Sequence, residues 1–380
     1  MNQAATDQTA GKGVAVLFVC PVAHFYGGAE RVLADMLANP AVRPHLCVPA
    51  EGPLAEYARA RGIPCGIVDI RRIAEVHRPV RPGAILSAAR DAWRAAGELR
   101  ALARRFGCPI VHTNGLKAHV VGALARRRGG AGPFRLVAHF HDIPYTRLER
   151  AIWRFVTTAA DAVIAVSRPC LPGPDRRHVT ILPNALPVPA ALPERTPRTP
   201  LRLGFVGRYA KFKGLGLLLD WFEAAREAGI DAMLRLRGRT TPEDQAYWDG
   251  IQARIAASPC AAAIVDEGFR DRAELYDDLD LVLVPSDHPD PHPFVVKEAQ
   301  AEGLPVVAYP AGGIPDMIAD GHTGFLAATP AEFVAVLRRL EAEPGLYDRV
   351  RRTAWEKARA EFDMATFHDR LARVYAGLDG

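Results

Sequence analysis

Short runs of Val, Ile, Leu and Ala alternate along this chain with longer stretches in which apolar residues recur every three or four positions. In the first half the runs are 14–20, 45–48, 65–70, 110–113, 135–141, 162–167 and 179–183. Most are apolar throughout rather than every second residue, which marks strands buried on both faces of a parallel sheet. Between them lie helical patterns. The clearest are 28–38 and 84–106, the latter with Ala89, Trp93, Ala96, Leu99 and Ala103 on one repeating stripe. Residues 183–200 then hold six prolines in eighteen positions. Proline lacks the N–H that a helix or ladder needs, so a linker is expected here, at 189–200. A second alternation follows, with strand-like runs at 201–206, 232–237, 262–265, 281–285, 305–309 and 324–327 and helical segments at 330–343, 345–361 and 364–378.

This pattern predicts an α/β protein of two Rossmann-like domains in series, their parallel sheets facing a central cleft. The expected boundaries are a disordered tail at 1–13, a first domain at 14–188, a linker at 189–200 and a second domain at 201–361. A C-terminal helix at 362–380 is expected to pack back toward the first domain.

Composition narrows the function classes. With 380 residues, 49% hydrophobic and 24% charged, the chain has material for large cores, and a disordered, collagen-like or coiled-coil main state is excluded. No window of about 20 apolar residues lacks charge, so no spanning helix is expected. Residues 1–13 are polar, without a signal-peptide core. The six cysteines are far apart with no C-x-x-C pair, the usage of free thiols in a reducing cytoplasm. Charge is uneven: residues 1–190 hold 25 Lys+Arg against 13 Asp+Glu, and residues 191–380 hold 23 against 30. Either the basic half faces an anionic surface, or it reflects an arginine-rich composition with no partner behind it.

Four segments carry chemistry. Gly27 and Gly28 lie between the first run and a helix, where bare backbone N–H groups approach an anion or simply make a tight turn. His139 and His141 share a face near a strand's carboxyl end, as structural or reactive imidazoles. Arg208 follows a strand ending in Gly207, and Lys213 precedes Gly214 and a helix. Cations at a helix start oppose its dipole, which suggests an anion between them; the alternative is two solvated surface charges. Finally, Asp290 sits in a proline-rich loop and Glu298 on the helix after it. Carboxylates so placed accept hydrogen bonds from hydroxyls, although Glu298 alone reads equally as helix charge. Neither a G-x-G-x-x-G nor a Walker motif occurs, and no cluster has metal-ligand spacing.

In combination these segments resemble the family 4 glycosyltransferases of GT-B fold. The matching features, in order, are Gly27-Gly28-Ala29-Glu30, His141-Asp142, Gly207-Arg208 with Lys213-Gly214, and an acid separated from Glu298 by seven residues. Ile181-Leu182-Pro183-Asn184, Gly312-Gly313-Ile314-Pro315-Asp316 and the 320–325 segment extend the likeness over roughly 14–375. The resemblance implies a retaining, metal-independent hexosyltransferase with no cofactor, whose donor is a GDP- or UDP-linked sugar. The acceptor it implies is a hydroxyl, saccharide or lipid-linked, in cell-surface polysaccharide, lipopolysaccharide or glycolipid synthesis. It implies catalytic roles for His141, Arg208, Lys213 and Asp290. Donor contacts would come from Gly27, Gly28, Arg208, Lys213 and Asp290, from His292, Pro293, Phe294 and Val295, and from Glu298 on the ribose. Gly268, Phe269 and Arg270 would line the base pocket.

Two departures matter. Asp290 stands where the family usually has Glu, and Pro293, which has no N–H, stands where it usually has glycine. Two other function classes therefore remain beside the transferase: a nucleotide-sugar epimerase on the same fold, and a non-catalytic sugar-nucleotide binder. The basic first domain, with Trp93 among Arg90, Arg94, Arg104 and Arg105, suggests a cytoplasmic protein peripheral to the inner membrane face. Nothing points to nucleic acid.

Overall fold

The computed structural model describes residues 13–24, 28–71, 73, 82–128, 134–171, 173, 178–272 and 274–378. The expected tail, apart from Gly13, lies outside them. The chain forms two units, one of Met1–Ala185 with Met364–Gly380, the other of Leu186–Asp363.

The first unit contains β1 (Val14–Val19), α1 (Gly28–Leu37), β2 (Val42–Val48), α2 (Pro53–Ala60), β3 (Cys65–Ile67), α3 (Pro82–Phe106), β4 (Ile110–Asn114), α4 (Leu116–Arg127), β5 (Arg135–Phe140), α5 (Arg147–Ala159), β6 (Ala162–Ala165) and β7 (Val179–Ile181). The strands are parallel in the order β3-β2-β1-β4-β5-β6-β7. Their apolar runs are buried because helices cover them: Val16, Leu17, Phe18, Val111, Leu136 and Val137 have no exposed surface. A capping box fixes the start of α5, where Thr146 accepts from the Glu149 N–H and the Glu149 carboxylate accepts from the Thr146 N–H. The buried stripe of α3 is Ala92, Ala95, Ala96, Leu99, Leu102 and Ala103. It is rotated from the expected one, so Ala89 and Trp93 face outward.

The second unit contains β8 (Leu201–Val206), α6 (Leu215–Glu227), β9 (Ala232–Arg237), α7 (Gln245–Ala257), β10 (Ile264–Gly268), β11 (Leu281–Val284), α8 (Phe294–Ala301), β12 (Val306–Ala308), α9 (Ile314–Met317), β13 (Phe325–Leu326), α10 (Pro330–Ala342) and α11 (Leu346–Glu361). Its six strands are parallel in the order β10-β9-β8-β11-β12-β13. β10 starts two residues later than the run at 262–265 suggests, because Ala261–Ala263 forms a 3-10 turn. The proline-rich stretch belongs to this unit rather than standing apart as a linker. Its prolines keep it off the sheet, while its arginines bind the unit's surface. Arg195 Nε donates to the Glu302 carbonyl at 2.9 Å, and Arg198 pairs with Asp280 at 3.2 Å. After α11 the chain re-enters the first unit as α12 (Met364–Ala376). There His368 Nε2 lies 2.8 Å from the Asp35 carbonyl, and Asn39 donates to the His368 carbonyl at 3.0 Å.

Both units are Rossmann-like, and each sheet has a point where strand order reverses: between β1 and β4 in the first, between β8 and β11 in the second. Side chains in the loops leaving these strands gather at one edge, which is where such sheets bind ligands. All six cysteines are unbridged thiols; Cys20, Cys47, Cys108 and Cys170 are buried. Burial pushes the Cys20 and Cys108 thiols up to about 12. Among the described residues no helix is long and apolar enough to cross a membrane.

Candidate active site

In the second unit the loops after β8 and β11 leave adjacent strands on either side of the reversal. The β8 loop runs from Gly207 through a 3-10 turn at Lys211–Lys213 to Gly214, which starts α6 in the left-handed conformation. A Cβ at Gly214 would lie 2.0 Å from the Pro285 carbonyl oxygen, so this residue lets the two loops touch. Arg208 and Lys213 converge on one ring. The Arg208 guanidinium carbon is 4.7 Å, and Lys213 Nζ 5.4 Å, from the centre of Phe212. Two like charges gathered so closely repel each other. Each is met by a carboxylate: Arg208 Nε lies 3.6 Å from Asp244 Oδ2, and Lys213 Nζ lies 3.2 Å from Asp290 Oδ2. The anion expected from the helix-start misfit thus has counterparts within the unit itself.

Asp290 is held on three sides. Its Oδ1 accepts from the His292 N–H at 3.1 Å, its Oδ2 accepts from Lys213, and its carbonyl accepts from the Gly313 N–H at 2.8 Å. Gly312, at φ +59°, makes that seat: a Cβ there would lie 2.3 Å from the Asp290 carbonyl oxygen. His292 is buried edge-on to Phe362. Pro293 precedes the first residue of α8, so the first N–H of that helix end belongs to Phe294. Lys297, fully buried, rests its Nζ 3.5 Å from the centre of the Phe294 ring, and Val295 packs against the core beneath. One turn further on, Glu298 Oε2 accepts from the Tyr276 hydroxyl at 2.9 Å, and its Oε1 lies 3.8 Å from Arg272. Burial, with Glu298 beside it, pushes the Tyr276 phenol far above its ordinary range, so it remains a donor.

The third cluster closes β10. Gly268, at φ +66°, donates to Asp266 at 3.0 Å and accepts from the Gly238 N–H at 2.9 Å. Asp266 also accepts from Tyr209, whose ring stacks on Trp248. Phe269 is 64% exposed, with the Arg239 guanidinium 4.9 Å from its centre, so one aromatic face is open at the surface. Arg270 is turned to Glu267 at 3.6 Å and Glu274 at 3.7 Å.

In the first unit His141 follows β5, and His139 is fully buried within it. Their rings lie 4.1 Å apart at 35°. His112 of β4 approaches His139 at 3.3 Å, and His119 of α4 approaches Thr113 at 2.8 Å. Burial, reinforced by His141, drives His112 and His119 down to about 3 and His139 well below its ordinary value, so all three are neutral. Gly28 opens α1 and is exposed. Gly27 lies outside the described residues. No group of three His, Cys, Asp or Glu among the described residues has the arrangement of a metal site.

Comparison with known proteins decides the family. The profile described as Glycosyl transferases group 1 matches residues 200–343, and that described as Glycosyltransferase Family 4 matches 26–171. The chain belongs to the group 1 glycosyltransferases. The glycogen synthase of Mycobacterium tuberculosis is 28% identical over 291 residues, 74% of this chain and 66% of that protein. The D-inositol 3-phosphate glycosyltransferase of Thermomonospora curvata is 33% identical over 200 residues, 48% of this chain and 44% of that protein. The chain spans less than two thirds of the length of either. Among solved structures, Anabaena Alr3699/HepE in complex with UDP superposes with a TM-score of 0.76 at 21% identity, covering 96% of this chain and 100% of that one. The fold is therefore GT-B.

Within this group 1 glycosyltransferase the second unit joins Lys213 to Asp290 and sets Arg208 beside them across Phe212. Glu298 and Arg270 form their own clusters with Tyr276 and Glu267. Sequence reasoning missed Asp244, Tyr276, Arg239, His112 and Tyr375, which no local motif marks. The Gly312-Gly313 pair was the available signal for the seat of Asp290.

Proposed function

We propose that this chain is a retaining hexosyltransferase that uses a nucleotide-diphosphate sugar, GDP- or UDP-linked, and a hydroxyl acceptor. The observation that carries the reading is the pair Arg208 and Lys213 over Phe212 at the strand-order reversal. Cleaving a sugar–diphosphate bond builds negative charge on the leaving phosphate, and two fixed cations there stabilise that charge most in the transition state. With the charge supplied by side chains, the reaction calls for no metal or cofactor. Asp290 and Glu298, both held by donors, present acceptor oxygens suited to sugar and ribose hydroxyls. The open face of Phe269 suits a base. His141 would stand at the sugar's reacting face. The UDP complex of HepE and the family assignment support a nucleotide donor.

For the acceptor, a lipid-linked or saccharide hydroxyl at an anionic membrane surface fits best. Trp93 is 47% exposed on α3, with the Arg128 guanidinium 4.7 Å from its ring, and Arg90, Arg94, Arg104 and Arg105 are exposed on the same helix. Aromatic and basic side chains so mixed suit a headgroup layer. On this reading the protein works on the cytoplasmic side, in cell-surface polysaccharide or glycolipid synthesis.

Thermal-shift measurement with UDP, GDP and their sugars tests the donor, with Arg208→Ala and Lys213→Ala alongside. At 100 times its Kd, a nucleotide should stabilise the wild type by about 2.7 kcal/mol. The two variants should lose most of that. If no nucleotide shifts the wild type, the reading fails.

A further inference from the structure

In the first unit a string of polar rings runs from the C-terminal helix to His141. The Tyr375 hydroxyl lies 2.7 Å from His112 Nδ1, and His112 Nε2 lies 3.3 Å from His139 Nδ1. The His139 ring then lies against that of His141, 4.1 Å centre to centre. Asn114 pairs with His139 across β4 and β5. His112 therefore stands two residues lower on the same face of the sheet, and the three imidazoles climb toward its carboxyl edge. Phe18 of β1 closes the string on one side, 5.2 Å from His112. Tyr375, His112 and His139 are all buried.

Hydrogen-bond accounting gives the string a direction. The Tyr375 phenol has one proton, and among the described residues its hydrogen-bond partner is His112 Nδ1. Donating there leaves the His112 proton on Nε2, which donates to His139 Nδ1 and leaves the His139 proton on Nε2. The reverse direction would bury the phenol proton without an acceptor. His139 Nε2 itself is buried with no hydrogen-bond partner among the described residues. The string thus ends in an imidazole N–H beside the His141 ring.

We propose that Tyr375 of the C-terminal helix is a positioning residue for His141, setting that ring's orientation through His112 and His139. The proposal rests on the reading of His141 as a group at the donor sugar. It makes α12, far away in sequence, part of the working site rather than a mere clasp on the fold. The neutral state of the string suits this role, because an imidazolium within it would reverse a donor and break the order.

Two measurements on the full chain test it, with Tyr375→Phe, which keeps the ring and removes only the hydroxyl. The first is nitrogen-15 NMR of imidazole-labelled wild type and variant. The wild type should show His112 and His139 both protonated at Nε2, and the variant should shift the ring-nitrogen resonances of His112, His139 and His141. If the His141 resonances stay fixed while those of His112 move, or if the wild type carries the opposite tautomers, the proposal is overturned. The second is transfer kinetics, where the variant should lose about tenfold in kcat with KM for the donor unchanged, since misplacement of a reacting group costs rate before binding. An unchanged kcat would overturn it. UDP-induced stabilisation, read in the second unit, should be equal in both chains and reports intact folding. Absence of any transfer by the wild type would reject the reading of the site, while the NMR comparison would still decide the string.

Discussion

Lys213 Nζ lies 3.2 Å from Asp290 Oδ2, joining the loops that leave two neighbouring strands, β8 and β11. The pair is partly solvated, so its own contribution to stability is small, about 0 to 1 kcal/mol. Its weight is in binding. Lys213→Ala removes a cation from the proposed diphosphate site and should abolish most UDP-induced stabilisation. Asp290→Asn removes only charge, releases Lys213 for the phosphate, and should retain UDP stabilisation while slowing transfer by about a hundredfold. Equal loss of nucleotide binding in both variants would count against separate roles.

Gly312→Ala tests the seat of Asp290. Its φ of +59° already disfavours a side chain, and the new Cβ would meet the Asp290 carbonyl oxygen at 2.3 Å. The backbone must shift at about 1–3 kcal/mol. Urea unfolding should show that loss, and transfer should fall further than melting alone explains. A variant as stable and active as wild type would show that the loop relaxes freely.

The Tyr276 hydroxyl orients Glu298 by donating to it at 2.9 Å. Tyr276→Phe deletes that bond and leaves the ring packed. A hydrogen bond to a charged group contributes about 1.5–3 kcal/mol, and solvent near Arg272 recovers part of it. Nucleotide affinity should therefore weaken by about three- to tenfold in isothermal titration. Unchanged affinity would remove Glu298 from the ribose.

Acid should unfold this protein steeply. His112, His119 and His139 are neutral in the fold and have depressed values, about 3 for the first two. Above their ordinary value of 6.5 they are neutral in both states and contribute nothing to the pH dependence. Below it the unfolded chain binds protons that the folded chain refuses, so stability falls as pH falls toward 3. The slope from three such groups is at most about 4 kcal/mol per pH unit. Urea midpoints measured from pH 7 to 5 should drop accordingly, and His119→Gln should lower the slope by about one proton. A flat profile would mean that these imidazoles charge within the fold.

Much of this was legible in the chain. Each of the thirteen runs corresponds to a strand among the described residues. Central strands such as β1 and β11 are apolar because both their faces are covered, whereas the edge strand β10 carries Asp266 and Glu267. Gly207-Arg208 and Lys213-Gly214 stood out because glycine and cation at a strand-to-helix turn are a local matter. Periodicity was less informative for α3, where alanines fill the buried stripe. A stripe drawn through Trp93 competes with one drawn through Ala92 and Ala95, and only packing against the sheet turned Trp93 outward.

By itself, then, the sequence determined the two parallel sheets, their order along the chain and the loops that carry charge. Those properties depend on backbone conformation and burial, which neighbouring residues report. Only the tertiary structure decided which side chains meet. Lys213 and Asp290 are 77 residues apart, and His112 and Tyr375 are 263 apart. Such pairs follow from strand order and from the return of the last helix to the first unit. Both are settled by the free energy of the assembled cores, which no local window of sequence contains.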